Sequence, residues 1–285
     1  MQITSTLINK NDFHMNLCID PPNERLRVDE YLGNIHHMIE ELGRLTTEYN
    51  AKKLIVKAKS KDVEKFLSNG FIIEAIIKGY YSGNDAYLMV VYHDNERRTS
   101  DKWIEEDDIL QGALKLSTTY ETKELDPVFE VSLSKDTDAK QLATLYDDVF
   151  ETYPTPMNEE EYIQQVMEEG TVFYQIKKDG NIVSAASAEV NDKYHNAEIT
   201  DCATRPEFRR YGFMKILIKA LEEELVKKGI FCAYSLARSL SFGMNASFHQ
   251  LGYDYTGRLI KNCDISGNFE DMNVWVKDLA NSGGN

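Results

Sequence analysis

The stretch Ala197–Met214 reads AEITDCATRPEFRRYGFM, and the rest of the chain is best understood from it. Residues 197–204 have the composition of a buried strand, and an apolar helix begins near the end of the stretch. Between them, Arg209 and Gly212 bound a short loop in which backbone N–H groups can turn inward, because Gly212 has no side chain. The stretch therefore predicts a strand, a pyrophosphate-sized anion site at the positive end of a helix, and that helix.

The helix after the loop has an apolar face with a 3.6-residue period and a stop signal at Lys227-Lys228-Gly229. Its loop resembles motif A of the GCN5-related N-acetyltransferases (GNAT), (Q/R)-x-x-G-x-(G/A), which binds acetyl-CoA. Arg209 and Gly212 match this motif, and Met214 stands where a small residue is usual. The resemblance implies an acetyl-CoA site made by Cys202, Ala203, Thr204, Arg209, Arg210, Tyr211, Gly212, Phe213 and Met214.

The elements around the loop follow the order of the same α+β fold with a mixed sheet. Upstream, the sequence predicts a strand over 129–133, a helix over 140–150 and a helix that the capping box Asn158-x-x-Glu161 begins and Gly170 ends. Strands over 171–177 and 182–190 flank an Asp-Gly hairpin turn. Downstream, it predicts a strand over 231–237, a helix over 241–250 and a hairpin of 255–263 with 272–276.

Residues 1–95 are expected to form half of the same fold, with helices over 39–49 and 63–67 and strands over 53–58, 72–78 and 86–92. Asn69-Gly70-Phe71 matches Leu251-Gly252-Tyr253, and such a repeat indicates duplication. This copy lacks an Arg-x-x-Gly loop, so we expect it to bind no CoA and to have a structural rather than a regulatory role. We expect 96–126 to be a linker, 127–278 the catalytic GNAT domain and 279–285 a flexible tail.

Composition favours a cytoplasmic enzyme. The chain has 285 residues with 42% hydrophobic side chains, which suffices for two cores. Its N-terminus shows no basic region followed by an apolar stretch, and no run approaches the ~18 apolar residues of a membrane span. The four cysteines have no C-x-x-C spacing and are expected to be reduced core residues. The six histidines show no ligand spacing, so no metal is expected.

The distribution of acidic residues indicates what kind of acceptor substrate the chain binds. The net charge is −15, and residues 121–170 hold 14 Asp or Glu against 3 Lys or Arg. In GNAT enzymes the first two helices line the acceptor pocket, so the resemblance implies an acidic wall that attracts a small cationic amine and disfavours nucleic acid. The alternative is that these acidic faces are simply solvated. We expect no membrane partner, and a homodimer stays open.

Within the superfamily the chain most closely resembles the β-lysine N6-acetyltransferases, which make the compatible solute N6-acetyl-β-lysine from β-lysine and acetyl-CoA. The resemblance is carried by the run 150–156, FETYPTP, by 161–163, by 237–245 and by the half-fold extension. Thr155 stands where an aromatic residue is expected. The acceptor's second ammonium is expected to pair with a carboxylate near the end of the first helix; the candidate substrate residues are Asp147, Asp148, Glu151 and Tyr153.

Catalysis requires a base, since a primary ammonium with a pKa of about 10.4 is almost fully protonated at pH 7. The candidate base is Glu198, because it lies on the strand before the loop, where the resemblance to the histone-acetyltransferase branch implies a glutamate base. Asp201, three residues later, faces the opposite side of the strand unless a bulge reverses it. Phe248 replaces the tyrosine that many relatives use to protonate the thiolate, which leaves Tyr253, Ser241 or solvent. Asn245 could bond the pantetheine arm or cap its helix.

Two other functions stay open: acetylation of another diamine, polyamine or lysine-like metabolite, and non-catalytic sensing of acetyl-CoA.

Overall fold

The computed structural model describes residues 3–118, 125–151, 155–265 and 267–281. The strands are β1 (Thr4–Asn9), β2 (Phe13–Asp20), β3 (Arg25–Gly33), β4 (Lys53–Lys59), β5 (Ile72–Tyr81), β6 (Asn84–Tyr92), β7 (Phe129–Leu133), β8 (Val172–Lys178), β9 (Asn181–Asn191), β10 (Asn196–Thr204), β11 (Cys232–Arg238), β12 (Asp254–Ile265) and β13 (Asn268–Asp278). The helices are α1 (Ile35–Glu48), α2 (Val63–Ser68), α3 (Asn95–Arg98), α4 (Trp103–Leu114), α5 (Ala139–Val149), α6 (Glu160–Glu168), α7 (Phe213–Lys227) and α8 (Phe242–Gln250).

In the described part of the chain, all the strands belong to one mixed sheet of thirteen, in the order β1-β2-β3-β4-β6-β5-β12-β13-β11-β10-β9-β8-β7. The pairs β3–β4 and β10–β11 are parallel and the others antiparallel. This confirms the predicted α+β fold with a mixed sheet. None of the described helices is long and apolar enough to span a membrane.

Two halves of the molecule repeat one topology. The N-terminal half, β1-β2-β3-α1-β4-α2-β5-β6, has the element order of β8-β9-β10-α7-β11-α8-β12-β13 in the C-terminal half, which adds β7, α5 and α6 before it. The sheet order of the first half, 1-2-3-4-6-5, mirrors 8-9-10-11-13-12 in the second. The duplication therefore extends to three strands that the sequence pattern had not predicted, β1, β2 and β3.

The charge pattern of β3 explains why it was missed. Leu26 and Val28 are fully buried against the core of the N-terminal half, as in an ordinary amphipathic strand. Arg25 and Arg27 alternate with them, but these charged side chains line a cavity against the C-terminal half instead of facing bulk solvent. The first helix also begins earlier than predicted, at Ile35, because the Asn34 side chain caps it.

The halves join where β5 meets β12, with Ala75 opposite Gly257. At Gly257 the backbone has φ +150°, and a Cβ there would lie 2.1 Å from the carbonyl oxygen of Glu74. Only glycine allows this close approach of two backbones. Each half has its own core beneath its long helix, and a third cluster that includes Ile77, Leu88 and Tyr234 packs between the halves.

One local prediction is wrong, and the connecting segment contains a helix that the sequence analysis did not predict. The segment predicted as a linker contains α4, whose Leu110 and Ala113 are buried. Its carboxylate Glu106 pairs with Arg258 at 3.4 Å, so the segment is packed on the C-terminal half. The predicted capping box at Asn158 does not form: α6 begins after Glu159 without a side-chain cap, and the Asn158 amide instead donates to Asp147 Oδ1 at 3.4 Å.

Candidate active site

The loop before α7 has the backbone of an anion site. Arg210 and Gly212 have φ +73° and +80°, left-handed values that turn successive N–H groups to one side. Gly212 occupies the N-cap position and, in the described structure, no side chain caps the first turn of α7. The N–H groups at the positive helix end are therefore available to an anionic ligand. Arg209, Arg210 and Tyr211 are exposed beside them.

Aromatic packing holds this loop in place. Phe213 is buried, with its ring centroid 4.8 Å from that of Phe129 in β7 and 5.3 Å from that of Tyr211. Met214, the departure from the family motif, packs against the core cluster that contains Leu217. Its side chain is thus directed into the protein, and the large residue at this position leaves the anion site open.

The strand before the loop separates from its neighbour. β10 pairs with β11 only from Asn196 to Glu198, and the two strands part beyond that point. A β-bulge between Thr200 and Ala203 follows, with Asp201 at φ +49°. After the bulge β10 continues its ladder with β9 alone, which in the described structure leaves the backbone groups on its β11 side without a strand partner. Cys202, Ala203 and Thr204 lie in this segment of β10.

Two glutamates meet in the sheet beside this segment of β10. Glu198 in β10 lies directly opposite Glu189 in β9, and both side chains line one cavity with Asp201. The bulge brings Asp201 to this side, where the Ser187 hydroxyl donates to its Oδ2 at 2.5 Å. Desolvation in the cavity, together with the charges of Glu198 and Asp201, raises the pKa of Glu189 to about 8, although part of its side chain is exposed to solvent. A carboxylate with such a pKa is suited to accept a proton near neutral pH.

Sequence reasoning missed Glu189. Its relation to Glu198 depends on the register of two strands, and the sequence alone does not give that register. The available signal was modest: Glu189 is the one charged residue in the otherwise small and apolar run 182–190.

The cavity has a volume of about 270 Å³ and is lined by both halves of the molecule. This is close to the lower end of the ~300–1,000 Å³ usual for small-molecule sites, so it suits a metabolite better than a peptide. Glu189, Glu198 and Asp201 form one wall. The wall contributed by the N-terminal half carries Arg25, Arg27 and Lys57 from β3 and β4, together with Asp20 of β2, which is bonded to Arg25.

Tyr234 of β11 lies between these walls and is also a residue that sequence reasoning missed. It is buried, it pairs with Glu198 in the parallel ladder, and it lines the cavity. Burial and the nearby charge of Glu198 raise the pKa of its hydroxyl well above the usual range. Tyr234 therefore keeps its proton at neutral pH and can donate a hydrogen bond.

Several predicted site residues lie elsewhere. Asp147, Asp148 and Glu151 are exposed near the end of α5 and do not line the cavity, and Asp148 is paired with Arg205. Their charge is therefore largely solvated, as the alternative interpretation held. Tyr153 falls outside the described residues.

Tyr253 is buried in the core, with its ring centroid 5.0 Å from that of Phe248, and its neighbours Glu222 and Lys277 belong to α7 and to β13. It does not line the cavity, and its role as the group that protonates the thiolate stays a prediction.

Asn245 is fully buried, and its amide is saturated. It donates to the backbone oxygens of Arg238 and Ser241 at 3.0 and 2.8 Å, and it accepts from Trp275 and Asn273, each at 2.9 Å. It fastens α8 to β11 and β13 and has no capacity left for pantetheine.

Free thiols and metal-type clusters add nothing to the site. All four cysteines are unpaired. Burial raises the pKa of the Cys202 thiol, which makes it a poor nucleophile. Over the described ranges, no group of three His, Cys, Asp or Glu side chains is arranged to hold a metal ion.

Comparison with known proteins agrees with this geometry. Residues 139–253 match the model of the acetyltransferase (GNAT) family. The chain is 40% identical over 257 residues to the N-acetyltransferase YodP of Bacillus subtilis, covering 90% of this chain and 93% of that protein. It is 35% identical over 270 residues to the β-lysine N(6)-acetyltransferase of Methanosarcina mazei (88% and 100% covered) and 33% identical over 255 residues to that of Methanococcus maripaludis (90% and 93%).

Among solved structures, the ribosomal-protein-S18-alanine N-acetyltransferase of Escherichia coli is similar at 18% identity with a TM-score of 0.47. The match covers 55% of this chain and 97% of that one.

Proposed function

The chain belongs to the GNAT acetyltransferase family, and we propose that it transfers the acetyl group of acetyl-CoA to the N6 amine of β-lysine. The observation that carries this proposal is the paired Glu189 and Glu198 in a small cavity, next to the strand that leads into the anion-binding loop. Two relatives with this activity in their names, similar over most of the chain, support the choice of acceptor.

Acetyl-CoA would supply an activated acetyl thioester, and the chain offers a matching site. The left-handed Arg210 and Gly212 and the uncapped α7 N-terminus would hold the pyrophosphate. Backbone N–H groups between Cys202 and Thr204 would bond the pantetheine arm and polarise the thioester carbonyl.

The acidic wall would prepare the amine. An ammonium that enters the cavity is attracted by Glu189, Glu198 and Asp201, and one glutamate takes its proton so that the amine can attack. We assign this proton transfer to the Glu189 and Glu198 pair as a unit, because the two residues lie directly opposite each other in the ladder and line the same cavity. Tyr234, which retains its own proton beside them, is the candidate to hydrogen-bond the departing sulfur.

The remaining parts of the proposal concern context. We place the reaction in the cytoplasm, which fits four free thiols, and assign the product a role as a compatible solute in osmoadaptation. The acceptor is a small molecule, with no nucleic acid or membrane partner.

The test is an assay of CoA release by the purified protein with acetyl-CoA and a panel of amines: β-lysine, lysine, ornithine and spermidine. We expect β-lysine to have the highest kcat/KM. If spermidine is preferred, the acceptor is a polyamine. If acetyl-CoA binds but no amine in the panel reacts, the chain is a sensor and the catalytic proposal fails.

A further inference from the structure

Arg27 in β3 lies at the position that Glu198 occupies in β10. In the parallel ladder of the N-terminal half, Arg25, Leu26 and Arg27 pair with Lys53, Leu54 and Ile55. The corresponding ladder of the C-terminal half pairs the residues Asn196, Ala197 and Glu198 with Cys232, Ala233 and Tyr234. Burial agrees with this alignment, because Leu26 and Ala197 each lie in the core beneath the long helix of their own half.

The second glutamate has a counterpart as well. Glu189 lies opposite Glu198, and Cys18 lies opposite Arg27. The repeat thus places an acidic pair on one wall of the cavity and an arginine with a neutral thiol at the equivalent positions of the other wall. A ligand between them meets opposite charges at its two ends.

Arg27 is the cation on that wall whose guanidinium has hydrogen-bond donors available to a ligand. Among the described residues, its Nε donates to Asp29 at 2.8 Å and its two Nη groups have no hydrogen-bond partner, while 34% of its side chain is accessible. Arg25 is buried and bonded to Asp20 and to the carbonyl of Asn262.

Lys57 has fewer donors available to a ligand than Arg27, since its ammonium is bonded to Asp29 at 2.8 Å and to the Tyr80 hydroxyl at 3.1 Å. Asp29 also orients Arg27 and leaves the outer edge of the guanidinium for a ligand. That edge is the part of an arginine that binds a carboxylate through two N–H groups.

We infer that Arg27 binds the carboxylate of the acceptor, so that the N-terminal half selects an amino acid over a simple diamine. This inference rests on the proposed function, which it deepens by naming a specificity residue in the half that has no acetyl-CoA loop. With the carboxylate at Arg27, the far amine of the acceptor reaches the Glu189 and Glu198 wall. A polyamine would leave the guanidinium without a partner.

The test compares β-lysine with 1,4-diaminopentane, which is β-lysine without its carboxylate. For Arg27→Gln we expect the ratio of kcat/KM for β-lysine to kcat/KM for the diamine to fall about 10- to 100-fold, the loss that a charge-assisted hydrogen bond implies. Arg27→Lys should give an intermediate loss. The control is Lys193→Gln, which removes an exposed cation bonded to Glu30 across the two halves but outside the cavity. It should leave the ratio unchanged.

An unchanged ratio in Arg27→Gln overturns the inference, whether neither substrate loses activity or both lose it equally. Asp29 keeps Lys57 as a partner in Arg27→Gln; if this variant nevertheless fails to fold, Arg27→Lys, which retains a cation for Asp29, serves instead. If the wild-type protein does not use β-lysine, the proposed function fails independently of this inference. Arg27 is then tested with two other pairs of an amino acid and its decarboxylated diamine, lysine with cadaverine and ornithine with putrescine. Preference for the decarboxylated member of each pair in the wild type would overturn the role of Arg27.

Discussion

The two halves of this molecule share a topology, but only the C-terminal half has a loop of several residues before its long helix. In the C-terminal half, residues 205–212 separate β10 from α7, and the helix N-terminus has no side-chain cap within the described structure. In the N-terminal half a single residue, Asn34, separates β3 from α1, and its Oδ1 accepts the N–H groups of His36 and His37 at 3.1 and 3.4 Å. The first helix therefore satisfies its own donors, and the second leaves them for a ligand.

The corresponding strands β3 and β10 differ in how their sides are filled. β3 also bulges, after Val28, and pairs with β4 only from Arg25 to Val28. Beyond that point side chains bridge the strands: the Tyr31 hydroxyl accepts the N–H of Lys59 at 2.9 Å, and the Tyr81 hydroxyl donates to the carbonyl of Lys57 at 2.6 Å. Beside β10 the strands part over an acidic cavity. Duplication thus supplied two copies of one frame, of which one retains the open form and the other contributes a basic wall.

The largest expected effect comes from closing the open half. Gly212→Val should abolish acetyl-CoA binding, because a branched side chain at φ +80° strains the loop and fills the anion site. Calorimetry measures the affinity. Gly229→Val is the matched control, since Gly229 ends the same helix at φ +75° with no atom within 4 Å of an added Cβ. It carries similar strain and should still bind. Unchanged CoA affinity in folded Gly212→Val would refute the cofactor site.

The acidic wall is the next difference to test. Glu198→Gln should lower kcat by about 10²- to 10⁴-fold, the usual contribution of a general base, with CoA affinity nearly intact. Activity of the variant should rise steeply at alkaline pH, where the amine loses its proton unaided. The measurement is a pH–rate profile. Near-normal kcat at pH 7 would move the role of base to Glu189 alone, to Asp201 or to water.

The closed half gives a smaller effect, on stability. Asn34→Ala removes the cap of α1 and should cost about 0.5–2 kcal/mol in the free energy of unfolding. Denaturant titration measures this loss, and calorimetry should show acetyl-CoA affinity as in the wild type. A fall in CoA affinity would mean that the N-terminal half takes part in cofactor binding, contrary to the contrast drawn above.

The smallest effect is a pH dependence of Tm, because the Glu189 side chain is partly exposed and solvent screens its charge. Because the pKa of Glu189 is raised to about 8, its contribution to stability is complete below the ordinary glutamate pKa and is lost as pH rises through about 8. Glu189→Gln should therefore gain in Tm over the wild type between about pH 5 and pH 8, with a constant advantage above. Glu64→Gln, at an exposed position in α2, should show no such trend. An advantage independent of pH would indicate packing as its cause.

Local features of the site could be predicted from the sequence, and features that depend on pairing could not. Arg209 and Gly212 lie in one contiguous stretch with Phe213 and Met214, so composition and spacing sufficed to predict the order of strand, loop and helix there, while acetyl-CoA binding by this loop stays a prediction. Asp201 needed a bulge to reach the cavity, and the sequence left that choice open. Its orientation was therefore known only from the ladder between β9 and β10.

The acceptor residues show the limit more clearly. Asp147 and Asp148 were chosen for local charge density, which does not distinguish a solvated helix end from a pocket. Glu189 and Arg27 reach the cavity through strand register and through the packing of one half against the other. No local pattern reports either relation. β3 was not predicted for the same reason, since its charged side chains face the C-terminal half and not solvent.

The position of the acetyl group on the product tests the central claim most directly. With a carboxylate held at Arg27 and the far amine at the Glu189 and Glu198 wall, wild-type protein with acetyl-CoA and β-lysine should give one product, acetylated at N6. Two-dimensional NMR of the purified product locates the new amide. Acetylation at the amine nearer the carboxylate, a mixture of both products, or no product would contradict the assignment of carboxylate binding to the N-terminal half and of amine activation to the C-terminal half.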